Sequence, residues 1–201
     1  MFTGIVQGIG RLSEREERGG DARLKIEAAV LPAVALAPGA SVAVNGCCLT
    51  VAQPCSEGFY ADASAETLAK TTLGELAVGA QVNLEPALAL GDALGGHLMS
   101  GHVDGVGVVI ACREDGCARR LRFRAPDVLA QLIAPKGSIA VDGVSLTVNE
   151  VAGAEFEVTI IPATLERTIA VGYAPGTRVN LEADMIARYL ARLLEAGSGV
   201  G

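Results

Sequence analysis

The chain is written twice. Pro38–Val51 reads PGASVAVNGCCLTV, and Pro135–Val148, 97 positions on, reads PKGSIAVDGVSLTV. The register holds without an insertion: Gly4, Val6, Gly8 and Gly10 fall on Gly101, Val103, Gly105 and Gly107. Phe59 falls on Phe156, Thr67-Leu68 on Thr164-Leu165, Gly79 on Gly176, and Val82–Glu85 on Val179–Glu182. Two long copies are not a solenoid, which stacks at least three short units. A duplicated domain fits, because 201 residues divide into two units that can each hold a core. The Gly-rich run Gly91–Gly96 marks the junction, so the chain is divided here into 1–97, 98–185 and a terminal segment 186–196.

Within each copy, short β-branched or alternating runs recur between turn signals: Ser41–Val44, Cys48–Ala52, Phe59–Ala63, Gln81–Leu84 and their second-copy partners. That spacing predicts an all-β sandwich or barrel. Asn45-Gly46 and Asp142-Gly143 are the strongest hairpin signals, since a type I′ turn needs positive φ at both central residues. Pro32–Leu36 and Val128–Ile133 are each long enough for one or two helical turns. No β-α-β alternation appears, which disfavours a doubly wound sheet. Past the second copy, Ile186, Tyr189, Leu190, Leu193 and Leu194 form the stripe of an amphipathic helix, with Gly197 as its stop. This helix either packs on its own barrel or pairs with other chains.

Composition excludes several functions. A net charge of −7 argues against a nucleic-acid face, which needs clustered Lys and Arg. Aromatics make up 3% of the chain and Trp is absent, so stacking platforms do not dominate. No apolar run reaches the roughly 18 residues of a membrane span, and no leader pattern opens the sequence. Five cysteines, an odd count without C-x-x-C spacing, read as reduced thiols of a cytoplasmic protein. The two histidines lack a third ligand for a metal. Gly8-Ile9-Gly10 and Gly105-Val106-Gly107 lack the third glycine of a nucleotide-binding loop, which argues against a flavin reductase barrel.

Strand alternation says where the polar side chains point. Cys47, Leu49 and Val51 share one face and Cys48 and Thr50 the other, as do Val144, Leu146 and Val148 against Ser145 and Thr147. A small polar pair kept in both copies either lines a shallow pocket or marks the solvent face of an edge strand. Gly4 and Gly101 permit close approach of a ligand to the backbone. His102 stands where the first copy has Ile5, and His97 reads as a turn residue in a Gly-rich segment.

Met1–Val6 (MFTGIV), Gly46–Val51 (GCCLTV), Gly95–Asp104 (GGHLMSGHVD), Gly143–Val148 (GVSLTV) and Thr164–Thr168 (TLERT) together resemble the riboflavin synthase family, over essentially the whole chain. The resemblance implies two tandem six-stranded Greek-key β-barrels and a C-terminal α-helix that helps hold a homotrimer. It implies dismutation of two 6,7-dimethyl-8-ribityllumazines to riboflavin and 5-amino-6-(D-ribitylamino)uracil, with no cofactor and no metal. The active site is expected between the first barrel of one chain and the second of a neighbour. Substrate-binding residues carried over for the first barrel are Gly4, Ile5 and Val6; Cys48, Leu49 and Thr50; and Asp62, Ala63, Ser64, Ala65, Glu66 and Thr67. For the second they are Gly101, His102 and Val103; Ser145, Leu146 and Thr147; Thr159, Ile160, Ile161, Pro162, Ala163 and Thr164; and Lys136. Ala69 stands where the family usually has Arg, and Ala65 and Ala163 replace larger or more polar residues. The lumazine C7 methyl is acidic because its carbanion delocalises into the ring, so positioning matters more than a strong base. A histidine is the natural proton carrier near neutral pH, which makes His102 the leading catalytic candidate, with Cys48, Ser145 and Thr147 as hydrogen-bonding partners. The alternative is a lumazine- or flavin-binding protein without turnover.

Overall fold

A computed structural model describes residues 1–197. The first copy forms β1 (Gly8–Arg18), β2 (Asp21–Glu27), β3 (Ser41–Val44), β4 (Cys47–Thr50), β5 (Gln53–Cys55), β6 (Gly58–Ala63), α1 (Ala65–Lys70) and β7 (Gln81–Pro86). The second forms β8 (Gly105–Asp115), β9 (Ala118–Arg124), β10 (Ser138–Val141), β11 (Val144–Ala152), β12 (Glu155–Ile160), α2 (Pro162–Arg167) and β13 (Arg178–Ala183), and α3 (Met185–Gly197) follows. Short 3₁₀ helices at Ala33–Leu36 and Asp127–Leu132 carry the crossovers from β2 to β3 and from β9 to β10.

The second copy closes in the order β10-β11-β12-β9-β8-β13, with every described neighbour pair antiparallel. The first follows the same order as β4-β3-β7-β1-β2-β6-β5. Its two end strands are pieces of one run that the second copy keeps whole as β11. The break has a local cause. Pro54, where the second copy has Val151, cannot donate to the ladder. Ala52 stands where Asn149 ties β11 to β12 by donating to Thr159 Oγ1 at 2.7 Å. Counted as one strand, β4 and β5 give a six-stranded barrel, as the family resemblance implies.

Each barrel is filled by packed side chains, so neither lumen is a ligand cavity. Leu24, Ile26, Leu49 and Phe59 pack in the first, and Phe123, Leu146, Phe156 and Val158 in the second. In the second, Phe123 stacks on Phe156 at 5.2 Å and meets Tyr173 edge-on at 6.5 Å. Both I′ turns form, with positive φ at Asn45, Gly46, Asp142 and Gly143. They also join the barrels. A Cβ on Gly46 would lie 2.6 Å from the Gly143 nitrogen, and one on Gly143 would lie 2.7 Å from the Gly46 nitrogen. Asn83 Nδ2 donates to the Asp142 carbonyl and Asn180 Nδ2 to the Asn45 carbonyl, both at 2.8 Å. This symmetric contact sets the two copies about a pseudo-twofold axis.

Candidate active site

The segments before β1 and β8, here called heads, do not stay with their own barrels. Phe2 and Met99 exchange backbone hydrogen bonds at 2.9 and 3.1 Å, so the heads run antiparallel between the barrels. Each then docks on the other copy. Ser145 N donates to the Gly4 carbonyl at 2.9 Å, and Cys48 N donates to the Gly101 carbonyl at 2.8 Å. Val6 joins the core of the second barrel, while Val103 packs against the first. A carboxylate from each head's own barrel fixes the crossing. Glu85 accepts from Thr3 N, Thr3 Oγ1 and Gly4 N at 2.6, 2.7 and 2.9 Å. Glu182 accepts from Ser100 N, Ser100 Oγ and Gly101 N at 2.7, 2.6 and 3.0 Å. Burial raises the Glu85 carboxyl above its usual range even against these donors. The glycines are required by contact as well as conformation. A Cβ on Gly4 (φ 76°) would sit 2.5 Å from Ser145 Cβ, and one on Gly101 (φ 79°) would sit 2.6 Å from Cys48 Cβ.

The exchange builds two clefts on the outer barrel walls. The first, about 280 Å³, is lined by Cys47, Cys48, Ser64, Glu66, Thr67, Lys70 and Thr71 of the first copy and by Gly101, His102 and Val103 of the second. The second, about 290 Å³, is lined by Val144, Ser145, Ala163, Thr164, Arg167 and Thr168 of the second copy and by Gly4, Ile5 and Val6 of the first. The sequence grouping, which kept each head with its own barrel, is therefore corrected. Strand alternation fixes which face Cys48 and Ser145 occupy but not which segment covers them. The clefts share no lining residue.

Among the other residues singled out from sequence, Leu49, Ala63, Leu146 and Ile160 are buried in the cores beneath the clefts. Thr50 and Thr147 share the outer face with Cys48 and Ser145 but stand exposed beyond the cleft walls. Asp62 is exposed near Arg18 and Arg23, at 3.7 and 3.9 Å. Ser64 caps α1, accepting from Thr67 N at 3.2 Å, and exposed Ala65 begins that helix. Thr159 holds Asn149, exposed Ile161 is the N-cap of α2, and Pro162 occupies its first turn. Lys136 lines neither cleft. It is exposed with φ 67°, at the position where the first copy has Gly39.

Three lining pairs escaped the sequence reading: Lys70 and Arg167, Thr71 and Thr168, and Cys47 and Val144. Each keeps the 97-residue offset, and the repeated cation at the end of the short helix was the available signal. Burial pushes the Cys47 thiol up to about 12, so it carries no thiolate near neutral pH. His97 also differs from expectation. It is 9% exposed rather than an open turn residue, and its Nδ1 lies 2.7 Å from Ser145 Oγ.

Residues 3–87 and 100–184 both match the lumazine binding domain family. The chain is 47% identical to the riboflavin synthase of Mycobacterium tuberculosis (strain ATCC 25618 / H37Rv), covering 98% of this chain and 99% of that one. It is 42% identical to the riboflavin synthase of Photobacterium phosphoreum, over 96% of this chain and 89% of that one. Crystal structures of LumP with riboflavin and with 6,7-dimethyl-8-(1'-D-ribityl) lumazine superpose at TM-scores of 0.82 and 0.80, with 28% and 27% identity. Each covers 91% of this chain and 99% of the LumP chain. Duplicated lumazine-binding domains, matched end to end by relatives of that name, place the chain in the riboflavin synthase family.

Proposed function

We propose that each cleft holds one 6,7-dimethyl-8-ribityllumazine and that the chain converts two of them into riboflavin and 5-amino-6-(D-ribitylamino)uracil. The observation that carries this reading is the pair of clefts, nearly equal in volume and built from corresponding residues by exchange of heads. Each lies near the lower end of the roughly 300–1,000 Å³ range of small-molecule pockets, room for one such ring system rather than two. Since the clefts share no wall, two rings meet face to face when the first cleft of one chain opposes the second cleft of another. Exposed Thr50, Thr147 and Lys136 then face the neighbour. The left-handed conformation of Lys136, which costs about 1–2 kcal/mol for a residue with a Cβ, fits a functional position. A homotrimer held by α3 supplies that arrangement. Ile186, Tyr189, Leu190 and Leu193 are each more than half exposed on its apolar stripe, and burial is worth about 1.5–3 kcal/mol for each large side chain.

In this reading the chain's main contribution is to orient two rings, worth on the order of 7–11 kcal/mol. His102, carried into the first cleft by the crossed head, moves the proton. Cys48 and Ser145 hydrogen-bond the rings from the cleft walls, exposed Thr147 reaches the ring held by the neighbouring chain, and Lys70 and Arg167 stand at matched places for polar groups of the ligand. No cofactor or metal is required by this chemistry. No described helix is long and apolar enough to cross a membrane, and the five free cysteines fit a reducing cytosol. The test is stoichiometric. After dialysis against a strong chelator, the purified chain with the lumazine alone should form one riboflavin for every two lumazines consumed. Binding without turnover would instead make it a lumazine carrier, and activity restored by added metal would remove the cofactor-free mechanism.

A further inference from the structure

The two heads are not held alike. Each is gripped at its crossing by a glutamate, Glu85 or Glu182, and each gives one backbone hydrogen bond to its own barrel just beyond. Gln7 N donates to the Leu84 carbonyl at 2.9 Å, and Asp104 N to the Leu181 carbonyl at 2.8 Å. Only the second head has a further anchor. The Asp104 carboxylate accepts from Ala183 N at 2.8 Å and from the Arg188 guanidinium of α3 at 2.9 Å. The first copy lacks every part of it. Gln7 stands for Asp104, Pro86 has no N–H where Ala183 donates, and no helix follows β7 before β8 begins. Gln7 instead turns back on its own head, donating to the Ile5 carbonyl at 3.1 Å.

The extra anchor bears on His102. One segment clamps the second head at both ends: Glu182 holds Ser100 and Gly101, while Leu181, Ala183 and Arg188 hold Asp104. His102 and Val103 alone span the two clamps. The imidazole is exposed, so its place in the first cleft is set by the backbone that carries it. The Asp104 side chain is 16% exposed, and water and salt screen its charge less than that of a surface pair. At about 3.6 residues per turn, Arg188 lies on the side of α3 opposite the stripe of Ile186, Tyr189, Leu190 and Leu193. The tie to Asp104 and a contact with a neighbouring chain therefore do not compete for one face.

We propose, resting on the reading of the first cleft as a lumazine site with His102 as proton carrier, that Asp104 and Arg188 are positioning residues for that histidine. Neither lines a cleft, and both act through the backbone at His102. Helix α3 is thereby part of the support of the first cleft as well as a face for assembly. Seating α3 against a neighbour steadies the head that carries the imidazole. The first head presents Ile5, which has no proton to move, and keeps the glutamate grip alone.

Two substitutions separate this role from simple docking of the helix. Arg188→Met keeps the aliphatic stem and the helix propensity but removes the ion pair, whereas Arg188→Lys keeps the charge. Both are measured in the full chain for mass by light scattering and for kcat and KM on 6,7-dimethyl-8-ribityllumazine. The Cε1–H NMR signals of the two histidine rings are followed with and without riboflavin, and kcat is measured again after adding His102→Gln. Arg188→Met should keep the mass and KM and lower kcat about fivefold, less than the roughly hundredfold cost of a 1 Å misplacement. Arg188→Lys should recover most of that loss. The shift that riboflavin induces in the His102 signal should shrink in Arg188→Met, while buried His97 keeps its own signal. In the His102→Gln background the loss from Arg188→Met should vanish, because a support acts only through what it supports. Losses that multiply, a His102 signal indifferent to Arg188→Met, or a fall in kcat that follows dissociation of the assembly would overturn the inference. A His102 signal that riboflavin does not move in the wild type would instead overturn the reading of the first cleft.

Discussion

Ile5 and His102 occupy the same place in the two copies, yet each serves the other barrel's cleft. Both are exposed in the single chain, open to ligand or neighbour. His102→Gln keeps length and hydrogen bonding but removes titration near neutral pH. It should lower kcat by about tenfold or more with affinity for lumazine nearly unchanged, the pattern of a group acting in the transition state. Small, equal effects on kcat and KM would make His102 a wall residue. Asp142 behaves differently because it is sealed at the barrel interface. Its carboxylate accepts from Tyr173 Oη at 2.6 Å and from Asn180 N at 2.7 Å, and burial still pushes the carboxyl up to about 7. The folded chain therefore holds a proton between the usual carboxylate value of about 3.9 and about pH 7, where the unfolded chain has released it. Stability from this group is complete below that window and is lost as pH rises through it. Asp142→Asn copies the first barrel, where Asn45 Oδ1 accepts from Asn83 N at 2.7 Å. Denaturation midpoints across the window should fall with rising pH in the wild type and flatten in the variant. Glu85, raised for the same reason, leaves a smaller slope of the same sign in both. An unchanged slope in the variant would refute the assignment.

At the scale of elements, the sequence was legible wherever a local rule decides the outcome. The I′ turns follow from Asn-Gly and Asp-Gly, and the outer face of β4 and β11 follows from alternation at Cys48, Thr50, Ser145 and Thr147. The exchange of heads was not legible. Gly4–Val6 and Gly101–Val103 are alike in composition, and the contact that separates own barrel from other barrel lies between residues distant in sequence. The device that enforces the crossing was visible without its meaning, as Glu85 and Glu182 inside the repeated Val-Asn-Leu-Glu. His97 precedes the repeat and so has no partner to compare. Its signal was the Gly-Gly pair ahead of it, which marks close backbone approach. The helix α3 was read correctly as amphipathic, and its stripe stays exposed although Arg188 ties the helix back to Asp104 at 2.9 Å. Truncation after Ala183 should reduce the solution mass from a trimer toward one chain by light scattering. A trimer that survives would show that α3 does not hold the assembly.

In the whole molecule, duplication explains why one chain carries two complete clefts, and the exchange of heads explains why neither barrel carries a complete one alone. The glycine contact at Gly46 and Gly143 makes the barrels one unit, so the heads always reach across the same interface. The proposed chemistry needs two rings in contact, and with disjoint cleft walls the proposed site pairs clefts of two chains. Thr67→Phe fills the first cleft and Thr164→Phe, 97 positions on, fills the second. Each variant alone should be nearly inactive while remaining folded by circular dichroism. Mixed by co-refolding, they form assemblies in which the intact second cleft of one chain opposes the intact first cleft of another. Riboflavin formation in the mixture should recover to a sizeable fraction of wild-type turnover. A mixture as inactive as its parts would contradict an active site shared between chains.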